Sequence, residues 1–150
     1  IEKACSFNDY PCGKVFELGD GIIIRTGKLN HPNGACGYRI EFGGKVLAIC
    51  TDTEHYEGKL DEEVLALADQ ADVMIYDSAY TEEEYPKFKG WGHSTWQEAL
   101  KVAEAANVKH TFLFHHDPSH NDEKMDQIAK DAAEINSNAR PAIEGEEITL

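Results

Sequence analysis

The sequence of this 150-residue chain predicts an α/β fold with a mixed β-sheet and helices packed on it. The first observation is a pair of strand-like runs joined by Gly43-Gly44. The second is an alternation of short apolar runs and amphipathic helical patterns after residue 51. Strands that alternate with helices form parallel sheets. A hairpin followed by such units therefore predicts a largely parallel sheet, to which the hairpin adds antiparallel strands.

The hairpin prediction depends on side-chain alternation. In residues 38–42, YRIEF, apolar and charged residues alternate as they do in a half-buried strand. Gly43-Gly44 fits a turn that needs positive φ, and residues 45–51, KVLAICT, form the second strand. A preceding strand is predicted over residues 21–29, before the turn-forming loop NHPNG.

Three helices and three more strands are predicted in the rest of the chain. Apolar residues at helical spacing mark the helices. Ser94 and Gln97 have the spacing of a capping box, and Asn121 with Asp122 caps the third helix. The predicted helices begin near residue 61, cover 94–106 and follow residue 121, and the predicted strands cover 73–77, 110–114 and the tail 146–150.

The composition limits the classes of partner. Fourteen basic and 28 acidic residues give a net charge of −14, so this chain alone has no excess of cations for a nucleic-acid backbone. A small phosphodiester suits this surface better. No apolar stretch approaches the roughly 20 residues of a membrane helix, and no membrane partner is expected. The chain starts at Ile1 instead of Met, which predicts a processed chain or a fragment of a longer one.

The four cysteines include no C-x-x-C pair, so a zinc knuckle is not expected. Cys50 lies in an apolar run and is predicted to be a small buried residue. Free thiols in a reducing cytoplasm, the predicted location, are the main expectation. A disulfide between Cys5 and Cys12 is the less favoured alternative.

Three predicted strands end in metal-binding side chains. Asp52, Asp77 and His115 each follow an apolar run directly or within two residues. The carboxyl ends of parallel strands meet at one edge of a sheet, where ligands bind. Carboxylate and imidazole groups are donors for zinc, iron and manganese. One such residue alone is more often a cap or turn former, but three together predict a metal or catalytic site.

Several motifs occur in a specific order, namely NHP, TDTEH, DSAY, GHST and FHHDP. From about Phe16 onward, this order resembles the second half of a metallo-β-lactamase-fold hydrolase of the ribonuclease Z-like and cyclic-nucleotide-phosphodiesterase-like branch. The resemblance implies that residues 1–150 are a single segment, the C-terminal half of an αββα sandwich.

The resemblance also implies a site with two divalent metal ions, zinc first, with manganese or iron as alternatives. His31 would bind one ion, Asp52 would bridge both, and His115 would bind the second, with His116 as the alternative. In the same branch a histidine next to the scissile phosphate pairs with an acidic residue. The resemblance implies that this pair is His93, as general acid, and Asp77.

The family's H-x-H-x-D-H motif is absent, since no two of the seven histidines are separated by a single residue. Each ion would then have two protein ligands, whereas a catalytic zinc usually has about three. Activity is therefore expected only when an N-terminal half of a longer polypeptide, or a partner chain, completes the site. A possible homo-oligomer is also left open.

The predicted function is a metal-dependent hydrolase, specifically a phosphodiesterase. The alternatives are a non-catalytic half-domain that acts by association and a di-iron redox or oxygen-sensing protein. His55 and His120 are weaker candidate ligands, because exposed loop histidines are common. Four aromatic residues flank loop 81–92, namely Tyr80, Tyr85, Trp91 and Trp96. They are expected to form an aromatic wall beside the site, although core packing is favoured for Trp96.

Overall fold

The computed structural model describes residues 9–150, and within them seven strands form one sheet with three α-helices. A short 3₁₀ helix lies at Tyr85–Lys87. The strands are β1 (Val15–Gly19), β2 (Ile22–Leu29), β3 (Ala35–Phe42), β4 (Lys45–Cys50), β5 (Val73–Asp77), β6 (His110–Phe114) and β7 (Ala139–Pro141), and the helices are α1 (Glu62–Ala68), α2 (Trp96–Ala105) and α3 (Asp122–Ile135).

The strand order in the sheet follows the chain order, from β1 to β7. Pairs from β1 to β4 are antiparallel and pairs from β4 to β7 are parallel. Short connections join the antiparallel strands, whereas each parallel connection contains a helix, as a parallel crossover requires. The predicted mixed α/β sheet is confirmed.

One strand at the sheet edges was missed and one predicted strand is wrong. The edge strand β1, with the sequence VFELG, was not predicted, and four of its five residues are exposed. The last strand is β7, not the tail 146–150, which is exposed throughout and forms no strand. Ala139 is buried and pairs with Thr111, so the segment directly after α3 takes the free edge of β6.

The predicted N-terminal cap of α2 is displaced by one residue. Thr95 is the N-cap, and its hydroxyl accepts a hydrogen bond from the N–H of Glu98 at 3.2 Å. Ser94 instead donates its own N–H to the buried carboxylate of Asp77 at 3.1 Å. Tertiary hydrogen bonding therefore decides which of the two adjacent hydroxyl residues caps the helix. Asn121 caps α3 as predicted.

The hydrophobic core lies between one face of the sheet and the helices. Ala48, Cys50, Met74, Tyr76 and Leu113 supply its sheet side. Each is buried. The prediction that Cys50 is a buried, small residue is confirmed, and burial raises the pKa of its thiol to about 12. Trp96 also belongs to this core, as predicted. None of the helices in residues 9–150 is long and apolar enough to span a membrane.

Alternate residues of the same strands point to the opposite face of the sheet. A cross-strand row follows the pairing register from β3 to β6, and it contains Tyr38, Ile49, Ile75 and Phe112. Tyr38 is 40% exposed. We call this face the second sheet face.

The structure joins Cys12 to Cys36 by a disulfide, which connects the segment before β1 to β3. The expectation of free thiols is therefore wrong for these two residues. Because Cys12 is paired with Cys36, it is not available to Cys5, which lies outside the described residues.

Candidate metal centre

The candidate site lies at the carboxyl ends of β4, β5 and β6. The register aligns Cys50 with Tyr76 and Asp77 with Phe114, so the three strands end at the same level. Asp52 and His115 follow directly beyond these ends, and Oδ1 of Asp52 lies 3.5 Å from Nε2 of His115. Two groups that are 63 residues apart in sequence thus meet because their strands are parallel.

Asp52 and His115 both have left-handed backbone conformations, with φ of 58° and 65°. This region is unfavourable for residues other than glycine, and such outliers persist when surrounding contacts hold them. The N–H of Asp52 donates to Oδ2 of Asp77 at 3.0 Å, which is one such contact. The chain therefore turns sharply after each strand and places a carboxylate or an imidazole at the carboxyl ends of the strands.

Asp77 organises the floor of the site. Its side chain has no exposed surface. A buried carboxylate is stable only when hydrogen bonds replace its water shell. Besides an imidazole, four backbone N–H groups donate to it at 3.0 to 3.4 Å, those of Asp52, Thr53, Ala79 and Ser94. One carboxylate therefore joins the ends of β4 and β5 to the start of α2.

The imidazole is that of His93, whose Nδ1 lies 2.9 Å from Oδ2 of Asp77. The hydrogen bond with Asp77 raises the pKa of His93, although burial acts in the opposite direction. Since Nδ1 is bound to Asp77, Nε2 is the ring nitrogen left for a ligand or substrate. The His93 ring is stacked with that of His115 at a centroid distance of 4.7 Å.

His31 reaches the site from the loop between β2 and β3. Its ring centroid lies 5.9 Å from that of His93. The Gly92 backbone packs directly against His31, so a Cβ atom at position 92 would overlap the His31 ring and approach Cδ of Pro32 to 2.7 Å. Glycine is therefore required at position 92 for His31 to occupy its place.

The donor atoms form two overlapping groups, each with atoms within 4.8 Å of one another. The first contains His31, Asp52 and His93, and the second contains Asp77, His93 and His115. Imidazole nitrogen and carboxylate oxygen suit zinc and related divalent ions. The residues present therefore fit a metal site. His116 belongs to neither group and lines a neighbouring cavity.

His55 and His120 are not exposed loop residues. Nδ1 of His55 lies 2.9 Å from the hydroxyl of Ser94. The His120 side chain is 5% exposed, and its Nε2 lies 3.2 Å from both carboxylate oxygens of Glu84. Neither residue belongs to a donor group.

Glu54 is a residue that the sequence prediction missed. Its carboxylate accepts hydrogen bonds from the Tyr85 hydroxyl at 2.7 Å, from Gly90 N–H at 2.7 Å and from Gly92 N–H at 2.9 Å. Burial would raise the pKa of Glu54, but these hydrogen bonds outweigh it and lower the pKa. All three donors belong to loop 81–92, so Glu54 fixes this loop beside the site. The only sequence signal was its position two residues after Asp52.

The aromatic residues of the loop have separate positions. Tyr80 stacks on Phe88 at 4.4 Å, and Phe88 meets Trp91 edge-on at 5.4 Å. Trp91 is 62% exposed and lines a cavity of about 820 Å³ together with His93 and His115. Tyr85 is bound to Glu54 and Trp96 is in the core.

The family model described as "Beta-lactamase superfamily domain" matches residues 6–116. The chain therefore belongs to the beta-lactamase superfamily, and its mixed sheet has the metallo-β-lactamase fold. Among relatives in sequence, Ribonuclease Z from Bacillus cereus (strain G9842) is 27% identical over 130 residues, which are 87% of this chain and 38% of that protein. The chain thus spans less than half the length of this relative.

Solved structures show the same fold. YhfI from Bacillus subtilis aligns with a TM-score of 0.75 at 18% identity, over 91% of this chain and 52% of YhfI. The short form of human tRNase Z aligns with a TM-score of 0.67 at 18% identity, over 90% of this chain and 46% of the tRNase Z chain. Zn²⁺-bound PqqB from Methylobacterium extorquens aligns with a TM-score of 0.65 at 16% identity, over 94% of this chain and 55% of PqqB. The predicted family resemblance is confirmed.

Proposed function

We propose that this chain is the catalytic C-terminal half of a metal-dependent phosphodiesterase. The observation that carries the proposal is the His93–Asp77 pair, at 2.9 Å, within two overlapping groups of side chains that could hold a metal ion. Metal ions would stabilise the phosphate oxygens and activate water, and the His93–Asp77 pair would add a proton donor for the leaving oxygen. The relative named Ribonuclease Z supports a phosphodiester substrate.

His31, Asp52 and His115 would hold two divalent ions, with Asp52 between them. The 3.5 Å separation of Asp52 and His115 supports their sharing of one ion. We propose zinc, because imidazole nitrogen and carboxylate oxygen are its common ligands, and the solved structure of PqqB is zinc-bound. When bound, such ions supply Lewis-acid stabilisation of phosphate oxygens and activation of water.

His93 would act as the general acid. Asp77 holds its Nδ1, and Nε2 is then the nitrogen that donates a proton to the leaving oxygen. Asp77 is itself fixed by four backbone N–H groups, so the imidazole has a defined orientation without help from substrate. A general acid held in this way contributes on the order of 10² to 10⁴ in rate.

The second sheet face supports a partner layer. Its row of apolar side chains across β3 to β6 is suited to packing against another sheet, as in a sandwich. We propose that an N-terminal half of a longer polypeptide covers it and supplies the H-x-H-x-D-H ligands. The 38% share of the Ribonuclease Z relative leaves room for such a half. A cytoplasmic location is also proposed, and the Cys12–Cys36 disulfide is a feature that opposes it, since a reducing compartment would keep both thiols free. Counting free thiols in native protein tests this location, and an intact disulfide would contradict it.

The test uses the full-length native polypeptide with bis(p-nitrophenyl) phosphate as substrate. We expect two zinc equivalents per chain, turnover that chelation abolishes and zinc restores, and a loss of about 10²-fold or more for His93→Ala. Ile135→Ala, at the far end of α3 from the site, is the matched control. Full metal content without turnover would overturn the hydrolase, and two irons with visible absorption would indicate a redox protein.

A further inference from the structure

The cavity beside the candidate metal centre has an apolar wall. Its volume is about 820 Å³, and it shares His93 and His115 with the centre. The side chains that make the wall include Trp91, Phe114 and Ile143, which are 62%, 45% and 67% exposed. Single exposed apolar side chains are common, but several around one cavity form a patch, and such patches often mark ligand or partner sites.

Trp91 is held in place without being covered. The carboxylate of Glu54 binds the N–H groups of both neighbours of Trp91, Gly90 at 2.7 Å and Gly92 at 2.9 Å. Phe88 supports the indole edge-on at 5.4 Å and is itself stacked on Tyr80. The backbone on both sides of Trp91 is therefore fixed, one edge contact supports the indole, and its open surface is available for a ligand to stack on.

The charge of the cavity indicates which part of a substrate it takes. Within residues 9–150, its lining includes Asp117 and Glu144 but no lysine or arginine. A phosphate group would be repelled there, so the phosphate belongs at the metal centre and a neutral group belongs in the cavity. Because His93 lies at the boundary between the two, the group in the cavity is the one on the leaving-oxygen side.

We propose that this cavity is a subsite for a planar aromatic ring, of the nucleobase type, on the leaving side of the phosphodiester, with Trp91 as its stacking platform. The subsite deepens the proposed function and rests on it. Stacking of a base on an aromatic side chain contributes roughly 5- to 150-fold in affinity. Trp91 would therefore set substrate preference, whereas His93 sets the chemical step.

The first experiment measures binding without turnover. Full-length protein is titrated with thymidine 5′-monophosphate and with ribose 5-phosphate, which lacks the aromatic base. Tryptophan fluorescence is recorded for wild type and for Trp91→Phe. We expect saturable quenching by the thymidine compound that Trp91→Phe removes, and none by ribose 5-phosphate. Equal quenching in Trp91→Phe, or no quenching, would overturn the subsite.

The second experiment measures selectivity. Thymidylyl-thymidine is compared with the analogue whose leaving-side base is replaced by hydrogen, and products are separated by chromatography. Trp91→Ala should lower kcat/KM for the ringed substrate about tenfold more than for the abasic one. Trp91→Phe, which retains a stacking ring, should keep most of the preference, and Ile135→Ala all of it. An unchanged ratio in Trp91→Ala would reject the subsite.

The two proposals fail in different ways. Turnover of both substrates without a ring preference leaves the hydrolase intact and rejects the subsite. Saturable quenching without turnover, in protein with full metal content, rejects the hydrolase and retains the ring-binding site.

Discussion

The Nδ1 atom of His93 lies 2.9 Å from Oδ2 of Asp77, and the Asp77 side chain is completely buried. The same carboxylate binds the backbone after β4, the backbone after β5 and the N-terminus of α2. The group that orients the proposed general acid is therefore also the group that holds three segments of the site together.

Asp77→Asn should weaken both the orientation of His93 and the contacts that hold the three segments together. An asparagine amide has one acceptor oxygen, so its NH₂ group would face backbone N–H donors and leave buried groups unpaired. We expect a loss of roughly 1–3 kcal/mol in the free energy of unfolding and a fall in kcat, measured by urea unfolding and phosphodiester turnover. Asp126→Asn, at an exposed position on α3, is the control. Stability equal to wild type would contradict this role of Asp77.

Glu54→Gln should loosen loop 81–92. The substitution removes the negative charge that three donors share, and hydrogen bonds to charged groups contribute roughly 1.5–3 kcal/mol each. We expect faster tryptic cleavage at Lys87 or Lys89 and a higher KM. Glu57→Gln breaks an exposed ion pair with Lys89 of the same loop. Because exposed pairs contribute little, cleavage as fast in Glu57→Gln as in Glu54→Gln would argue against the Glu54 contacts as the cause.

Gly92→Ala and Gly90→Ala form a matched pair. Both glycines have positive φ, 93° and 88°, so alanine is strained by roughly 1–2 kcal/mol at either position. Only at position 92 does the new methyl group meet His31, whereas position 90 has open space. We expect Gly92→Ala to lose metal affinity well beyond any effect of Gly90→Ala, as measured by competition with a chelating dye. Equal losses would show that backbone strain alone is responsible.

Asp72 lies directly before β5, at the end of the parallel strands opposite to the site, and should contribute to pH-dependent stability. The hydrogen bond from Lys109, at 2.7 Å, and that from Val46 N–H, at 2.9 Å, lower the pKa of Asp72. A carboxyl with a lowered pKa stabilises the fold above its ordinary pKa, and this contribution disappears as the pH falls through the folded-state pKa. Wild type should therefore unfold at higher urea concentration than Asp72→Asn at pH 7, with the difference shrinking toward pH 3. A constant difference would contradict the linkage.

Local sequence patterns were sufficient for most elements and for the edge of the sheet that carries the site. β5 and β6 have the predicted bounds, because short apolar runs with polar ends are strong signals. The convergence of Asp52, Asp77 and His115 at one edge followed from parallel strands alone.

The missed features depend on contacts distant in sequence. Thr95 caps α2 because Ser94 is bound to Asp77, and β7 forms where β6 offers a free edge. Glu54 is important only because loop 81–92 folds over it. The Cys12–Cys36 pair likewise depends on how the segment before β1 packs against β3. Periodicity and local spacing carry no information on such pairings.

The left-handed backbone of Asp52 and His115 has an evolutionary consequence. Glycine would relieve roughly 1 kcal/mol of backbone strain at each position but would remove a side chain that the proposed function assigns to metal binding. Under that proposal, selection for thermostability alone can favour glycine at these two positions at the expense of activity. Laboratory evolution of this chain needs a screen for turnover at every round.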